Sequence, residues 1–136
     1  MHKVAKSIII DHNGNHLLLY RNNHPIFGDD PDLPGGTLEP GEQLIETMVR
    51  EVFEESGIMV MANDAQHLFR GAQYSSHNTE YSLFMVTLDH QPDVKLSWEH
   101  SGYEWISREA LMDKAKHSND TYMHMVYDTM KKLLAA

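Results

Sequence analysis

The stretch from 36 to 58 constrains the fold of this chain more than any other segment. It reads GTLEPGEQLIETMVREVFEESGI and follows directly on Gly35. Its apolar residues recur at helical period, which predicts an amphipathic helix with one buried stripe. The stripe consists of Leu44, Ile45, Met48, Val49, Val52 and Phe53. Gly57 is placed to end this helix, because glycine readily adopts the left-handed backbone conformation found there.

The other face of the predicted helix is acidic. Glu51, Glu54 and Glu55 are related by i, i+3 and i+4, so their carboxylates converge on one patch. Like charges at this spacing cost an isolated helix roughly 0.2–0.5 kcal/mol per pair. A solvated helix face is the commoner origin of such a patch, but a hard divalent cation with oxygen ligands is its natural partner.

The pattern of specified residues is longer than the carboxylate patch. Gly36, Glu42 and the run Arg50-Glu51-Val52-Phe53-Glu54-Glu55-Ser56-Gly57-Ile58 resemble the Nudix hydrolase signature, G-x5-E-x7-R-E-[apolar]-x-E-E-x-G-[apolar], at every fixed position. The resemblance implies an α+β fold, an α/β/α sandwich with a mixed β-sheet. It also implies an enzyme that cleaves a nucleoside diphosphate linked to another moiety.

The resemblance further implies a metal site. Glu51, Glu54 and Glu55 become its central metal-binding and water-activating residues, and the Gly35 carbonyl becomes a further ligand. Mg²⁺ is the expected cofactor, and Mn²⁺ is expected to substitute for it. A glycine suits position 35 because the backbone must approach the ion closely.

Two charged residues of the same helix receive supporting roles. We interpret Arg50 as a cation that organises the carboxylates, and Glu42 as its structural partner. Glu46 lies at i, i+4 from each of them, and we interpret it as surface charge.

A metal site in this family usually takes one more acid from a loop distant in the sequence. The segment 98–105, WEHSGYEW, resembles the family's acid-then-tryptophan stretch before the last strand. Glu99 is therefore the expected fourth acid, with Glu104 as the rival and Glu80 third. Either Glu51 or Glu99 serves as the general base. The ten histidines are interpreted as mostly solvated, and none receives a catalytic role.

The flanking sequence alternates strand and helix patterns. Ser107 and Asn119 are predicted to cap two helices, the first over 108–116. The second carries an apolar stripe of Met123, Val126, Tyr127, Met130, Leu133 and Leu134. Predicted strands cover 4–10, 16–21, 66–74, 80–88 and 103–106. Asn13-Gly14 predicts a tight turn between the first two strands, and 22–34 reads as a polar loop.

Bulk properties limit the classes of function. The 136 residues suit a single domain over 1–136, and the formal charge of −9 disfavours nucleic-acid binding. The absence of cysteine excludes disulfides, thiolate-ligated zinc and a cysteine nucleophile. Without an apparent signal peptide or membrane span, the expectation is a cytoplasmic monomer or homodimer that binds a small nucleotide.

The signature does not encode the substrate. Leu33-Pro34-Gly35-Gly36 and the short chain resemble the branch acting on nucleoside triphosphates, including oxidised ones. Asn119 falls where some of those enzymes contact the base, although a helix N-cap is the commoner role for such a residue. Tyr74, sixteen residues beyond Ile58, is a hint of dinucleoside polyphosphates or an ordinary strand residue. ADP-ribose or nucleotide-sugar hydrolysis, a non-catalytic nucleotide-binding regulator and an isomerase of the same fold are the remaining alternatives.

Overall fold

The computed structural model describes residues 1–21, 30–75 and 77–135. Its elements in chain order are β1 (His2–Ile10), β2 (His16–Arg21), β3 (Pro31–Asp32), β4 (Gly35–Thr37), α1 (Leu44–Ser56), a 3₁₀ turn (Ala62–Asp64), β5 (Ala65–Gly71), β6 (Thr79–Thr87), β7 (His100–Ile106), α2 (Arg108–Lys116) and α3 (Thr121–Ala135). Most of the predicted loop over 22–34 lies outside the described residues, at 22–29, and β3 forms within its remainder.

Strand β1 is the centre of a mixed sheet. One edge pairs in parallel with β6 along its whole length, from His2 opposite Thr79 to Ile10 opposite Thr87. The other edge of β1 pairs with two strands. Strand β4 pairs with the first half of β1, and β2 pairs with β1 at Ile10. Strands β7 and β3 continue the sheet beyond β2, and β5 continues it beyond β6. The predicted mixed sheet is confirmed, with β7 longer than expected at its start.

Helices cover both faces of this sheet. Leu17 and Leu19 of β2 pack in the core beneath α1, whereas Leu18 packs in the core formed with α2 and α3. This alternation is the two-residue period of a strand buried on both sides. The predicted α/β/α sandwich is therefore confirmed. Among the described residues, none of the helices combines the length and apolar character that crossing a bilayer requires.

The apolar stripes are correct in position but wrong at their margins. Met48 and Val52 of α1 are fully buried, but Phe53 is 53% exposed. The covered arc of α1 is displaced toward Glu55, which is 3% exposed. In α3 the predicted stripe is correct through Met130, and Leu133 and Leu134 are exposed. Hydrophobic period locates a stripe, but the width of the partner surface decides which of its residues are covered.

The N-terminus of α3 is one residue later than the sequence predicted. Asp120, not Asn119, directly precedes the helix, and its Oδ1 accepts a hydrogen bond from the Tyr122 backbone N–H at 3.2 Å. Its Oδ2 accepts from Arg21 Nη2 at 2.8 Å. Asn119 is exposed. The assignment of Asn119 as the cap is therefore wrong.

This difference gives a test of the fold. Replacing Asp120 by alanine should lower the free energy of unfolding by about 1–2 kcal/mol, because a helix cap and an ion pair are lost together. Asn119→Ala is the matched control and should change it by less than about 0.5 kcal/mol. Urea unfolding at pH 7 measures both variants. Equal effects of the two substitutions would contradict the placement of the cap.

Candidate active site

Local signals in the sequence fix both ends of α1. At its start, Glu46 accepts a hydrogen bond from the Gln43 backbone N–H at 2.8 Å, the arrangement of a capping box. At its end, Gly57 has φ 74°, and its N–H donates to the Phe53 carbonyl at 2.8 Å. The interpretation of Glu46 as plain surface charge was wrong, since it satisfies a backbone donor at the helix terminus.

Arg50 joins the carboxylates of α1. Its Nε donates to Glu42 Oε2 at 2.7 Å, and its Nη1 donates to Glu51 at 2.7 Å and to Glu54 at 3.3 Å. Its Nη2 also reaches the Thr37 carbonyl at 3.2 Å. The hydrogen bond from Arg50 lowers the pKa of Glu42 to about 2. The organising position predicted for Arg50, with Glu42 as its partner, is the one observed.

Gly35 and Gly36 bring the backbone of β4 against these carboxylates. A Cβ on Gly36 would lie 2.4 Å from the Glu51 carboxyl carbon. Gly35 has φ 152°, and a Cβ there would lie 2.0 Å from the Ala5 carbonyl oxygen of β1. The Gly35 N–H donates to Glu55 Oε1 at 3.1 Å. Only glycine permits this approach at position 35, whereas a Cβ at position 36 would displace the Glu51 carboxylate.

Glu55 is the buried member of the acidic group. Burial raises its pKa to about 7, although the nearby Lys6 ammonium opposes the shift. Its Oε2 lies 3.9 Å from Nδ1 of His100, whose side chain is 2% exposed. Glu51 is half-buried, and burial also raises its pKa, with the charges of Glu54 and Glu99 adding to the effect and Arg50 opposing it.

A buried ionic network lies behind Glu55, and sequence reasoning missed it. Asp32 Oδ1 accepts from Lys6 Nζ at 3.0 Å and from the Tyr122 hydroxyl, and Oδ2 contacts His100 Nε2 at 2.9 Å. Arg21 lies 3.4 Å from the same carboxylate. Burial disfavours the anion, but Lys6, His100 and Arg21 outweigh it and hold the pKa of Asp32 far below its usual range. A lysine inside the apolar strand pattern of β1 was the one signal available.

The three candidates for the loop acid occupy different places. Glu99 is exposed just before β7, and its charge raises the pKa of Glu51, so it lies on the side of α1. Glu104 is paired with Leu18 across β2 and β7, on the face covered by α2 and α3, and accepts from the Tyr20 hydroxyl at 2.7 Å. Glu80 is paired with Arg70 at 2.7 Å. The arrangement favours Glu99.

The two residues considered for substrate binding are not brought together. Tyr74 donates to Asp128 at 2.6 Å and lines a cavity of about 570 Å³ beside α3. Asn119 lines a separate groove of about 320 Å³ with Lys114 and Asp30. Neither cavity is lined by a glutamate of α1, within the part of the chain that the structure describes.

Comparison with known families agrees with this geometry. The NUDIX domain family model matches residues 1–126. The chain belongs to the NUDIX domain family. The resemblance seen in the sequence is confirmed, and the segment 36–58 is called the NUDIX box below.

The proteins similar to this chain include enzymes named for different nucleotide substrates. The nucleoside triphosphatase NudI of Enterobacter sp. (strain 638) is 29% identical over 113 residues, covering 76% of this chain and 80% of that protein. The asymmetrical bis(5'-nucleosyl)-tetraphosphatase of Mus musculus is 32% identical over 88 residues, covering 61% and 59%. The chain spans 62%, 59% and 52% of the lengths of its relatives from Bacillus subtilis (strain 168), Mus musculus and Rattus norvegicus, respectively. The crystal structure of the MutT protein from Methanosarcina mazei Go1 is 25% identical, with a TM-score of 0.67 over 96% of this chain and 95% of that one.

The NUDIX box meets the chemical requirements of a divalent metal site. Its donors are carboxylate oxygens beside a backbone that no Cβ obstructs, which suits Mg²⁺ or Mn²⁺. Within residues 1–21, 30–75 and 77–135, no three Asp, Glu or His side chains are grouped closely enough to enclose an ion as they stand. Arg50 engages Glu51 and Glu54, so metal binding requires these carboxylates to turn away from the guanidinium.

The raised pKa of Glu55 predicts a pH-dependent stability. Folded Glu55 keeps its proton up to about pH 7, whereas an unfolded carboxyl loses it near 4.5. The folded state therefore binds more protons in this window, and its stability falls as the pH rises through it. From pH 5 to pH 8, without divalent ions, the free energy of unfolding of wild type should fall by about 1–3 kcal/mol more than that of Glu55→Gln. Urea unfolding measures both. A difference that does not change with pH would contradict the buried, protonated state.

Proposed function

We propose that this chain is a Mg²⁺-dependent pyrophosphohydrolase that converts a nucleoside triphosphate to the monophosphate and pyrophosphate. The observation that carries the proposal is the group of carboxylates on α1 gathered around Arg50 beside Gly35 and Gly36. Polyphosphate is strongly anionic, so an acidic site can accept it only with a cation between them. The net charge of −9 makes that requirement stronger.

We assign the metal to the Gly35 carbonyl and to Glu51, Glu54, Glu55 and Glu99. Bound there, a divalent ion would neutralise charge on the phosphoryl oxygens and make a water molecule more acidic. Glu55 is held by the Gly35 N–H, so its carboxylate and the neighbouring carbonyl are oriented as a unit. Glu51 and Glu54 lie on the same side of the helix, and Arg50 donates to both of them.

Glu51 is the better supported general base. Its raised pKa makes it a stronger proton acceptor than an ordinary carboxylate, and its carboxylate lies in the space that a side chain at Gly36 would occupy. In the proposed reaction the water oxygen bonds to phosphorus while the anhydride P–O bond breaks. Pyrophosphate leaves with the bonding electrons, and Glu51 takes the proton of the water. Glu99 is the alternative base.

One comparison and one structural observation support a triphosphate over the alternatives. The match to the nucleoside triphosphatase NudI covers 80% of that protein, whereas the match to the mouse tetraphosphatase covers 59%. Tyr74, the hint of a dinucleoside polyphosphate, has its hydroxyl engaged by Asp128 on the far face of the sheet from α1.

A substrate panel tests the proposal. Purified protein with Mg²⁺ would be given ordinary and oxidised nucleoside triphosphates, a dinucleoside tetraphosphate and ADP-ribose, and the products separated by ion-exchange chromatography. We expect triphosphates to give the monophosphate and pyrophosphate with the highest kcat/KM. Turnover of none of these compounds would overturn the proposal, and tight nucleotide binding without turnover would identify a regulator instead.

Gly36→Ala tests the contact between β4 and the proposed base. The added Cβ would overlap the Glu51 carboxylate, whose displacement by about 1 Å should lower kcat by about 10²-fold. Gly102→Ala is the control, because its Cβ would meet only Tyr20 at 3.9 Å. Steady-state kinetics measures kcat of both variants, and circular dichroism checks that each is folded. A wild-type kcat in Gly36→Ala would contradict the role of Glu51.

Glu99→Gln and Glu104→Gln form a second matched pair. Removing the charge of Glu99 should lower kcat by at least about tenfold with little change in unfolding free energy, since an exposed loop acid contributes little to stability. The same change at Glu104, on the other face of the sheet, should leave kcat within about twofold of wild type. A larger loss in the Glu104 variant would show that the fourth acid has been misassigned.

A further inference from the structure

One buried nitrogen beside the proposed metal site lacks a hydrogen-bond partner within the part of the chain that the structure describes. His100 begins β7 and is enclosed between Asp32 and Glu55, with its side chain 2% exposed. Its Nε2 is paired with Asp32 at 2.9 Å. Its Nδ1 forms no hydrogen bond among the described residues. A polar atom buried without a partner is rare in folded proteins and requires a physical explanation.

The surrounding charges fix how the imidazole is used. Asp32 is held ionised by Lys6, by Arg21 and by His100 itself, so it accepts a hydrogen from Nε2. The remaining nitrogen, Nδ1, faces Glu55 Oε2 at 3.9 Å. This gap is longer than a hydrogen bond, so the Glu55 carboxylate must turn for the two groups to bond. Nδ1 can accept a hydrogen from a protonated Glu55, and it donates to an ionised Glu55 when the imidazole carries a hydrogen on both nitrogens.

Glu55 therefore has one group directing each of its oxygens. The Gly35 N–H holds Oε1 at 3.1 Å, and His100 Nδ1 faces Oε2. Because Asp32 binds the far side of the ring, the imidazole cannot turn away from Glu55 without breaking a buried hydrogen bond. The strand β7, which also follows Glu99, is thereby joined to the helix that carries the other acids.

We infer that His100 is a positioning residue that orients Glu55 for divalent-metal binding, through the chain Asp32–His100–Glu55. The inference rests on the proposed function, since it assumes that Glu55 is a metal ligand. It predicts that the polar atom at the Nδ1 position sets metal affinity, whereas the atom at the Nε2 position sets stability.

Two substitutions separate these atoms. Asparagine carries its amide atoms two bonds from Cβ, as Nδ1 is, so His100→Asn keeps a polar group toward Glu55 and gives up Asp32. Glutamine carries them three bonds from Cβ, as Nε2 is, so His100→Gln keeps the contact with Asp32 and gives up the one toward Glu55. If His100 only supports the fold, the two variants should change metal affinity and stability in parallel.

The test measures Mn²⁺ affinity of the nucleotide-free protein by isothermal titration calorimetry, and the midpoint of thermal unfolding. We expect His100→Gln to weaken Mn²⁺ binding by about tenfold or more while keeping the wild-type midpoint. His100→Asn should bind Mn²⁺ within about threefold of wild type and unfold at a lower temperature. The reverse ranking, or equal Mn²⁺ affinities in wild type and both variants, would overturn the inference while leaving the proposed function intact. Wild type that binds no Mn²⁺ would overturn both.

Discussion

The buried carboxylate of Asp32 is the interaction on which the rest of the structure depends. It is contacted from β1 by Lys6, from β7 by His100 and from α3 by Tyr122, so one anion joins both faces of the sandwich. Burial of a charge is tolerated only when several partners compensate it, and the loss of one partner would leave the others unpaired. The segment from Asp32 to Gly35 is thereby held against β1, where it faces α1.

The carboxylates of α1 repel one another, and a cation and a backbone N–H group offset this repulsion. Arg50 donates hydrogen bonds to Glu42, Glu51 and Glu54, and the Gly35 N–H donates to Glu55. The same contacts keep Glu51 and Glu54 bound to Arg50, so both carboxylates must turn away from the guanidinium when a metal binds. The cost is the burial of Glu55, whose raised pKa shows that its charged form is disfavoured until a further cation is present.

The sequence predicted what depends on local spacing and missed what depends on distant partners. The end of α1 at its left-handed Gly57 and the pairing of Arg50 with Glu42 follow from residues within one short segment, 42–57. The burial of Glu55 and His100 could not be predicted, because the groups that surround them come from β3, β1 and β4. The N-cap assignment was wrong for a related reason, since Asn119 and Asp120 are chemically similar and only the ion pair with Arg21 distinguishes them.

The central claim is that the carboxylates of the NUDIX box bind a divalent cation at the Gly35–Gly36 backbone. Its most direct test is a titration of ¹⁵N-labelled wild-type protein with substoichiometric Mn²⁺, followed by amide NMR spectra, because the paramagnetic ion broadens only nearby signals. The amides of Gly35 and Gly36, of the last two turns of α1 and of Glu99 should broaden first, and those of β5 and of the C-terminal half of α3 should stay sharp. Broadening centred elsewhere, or uniform broadening of weak surface binding, would contradict the account.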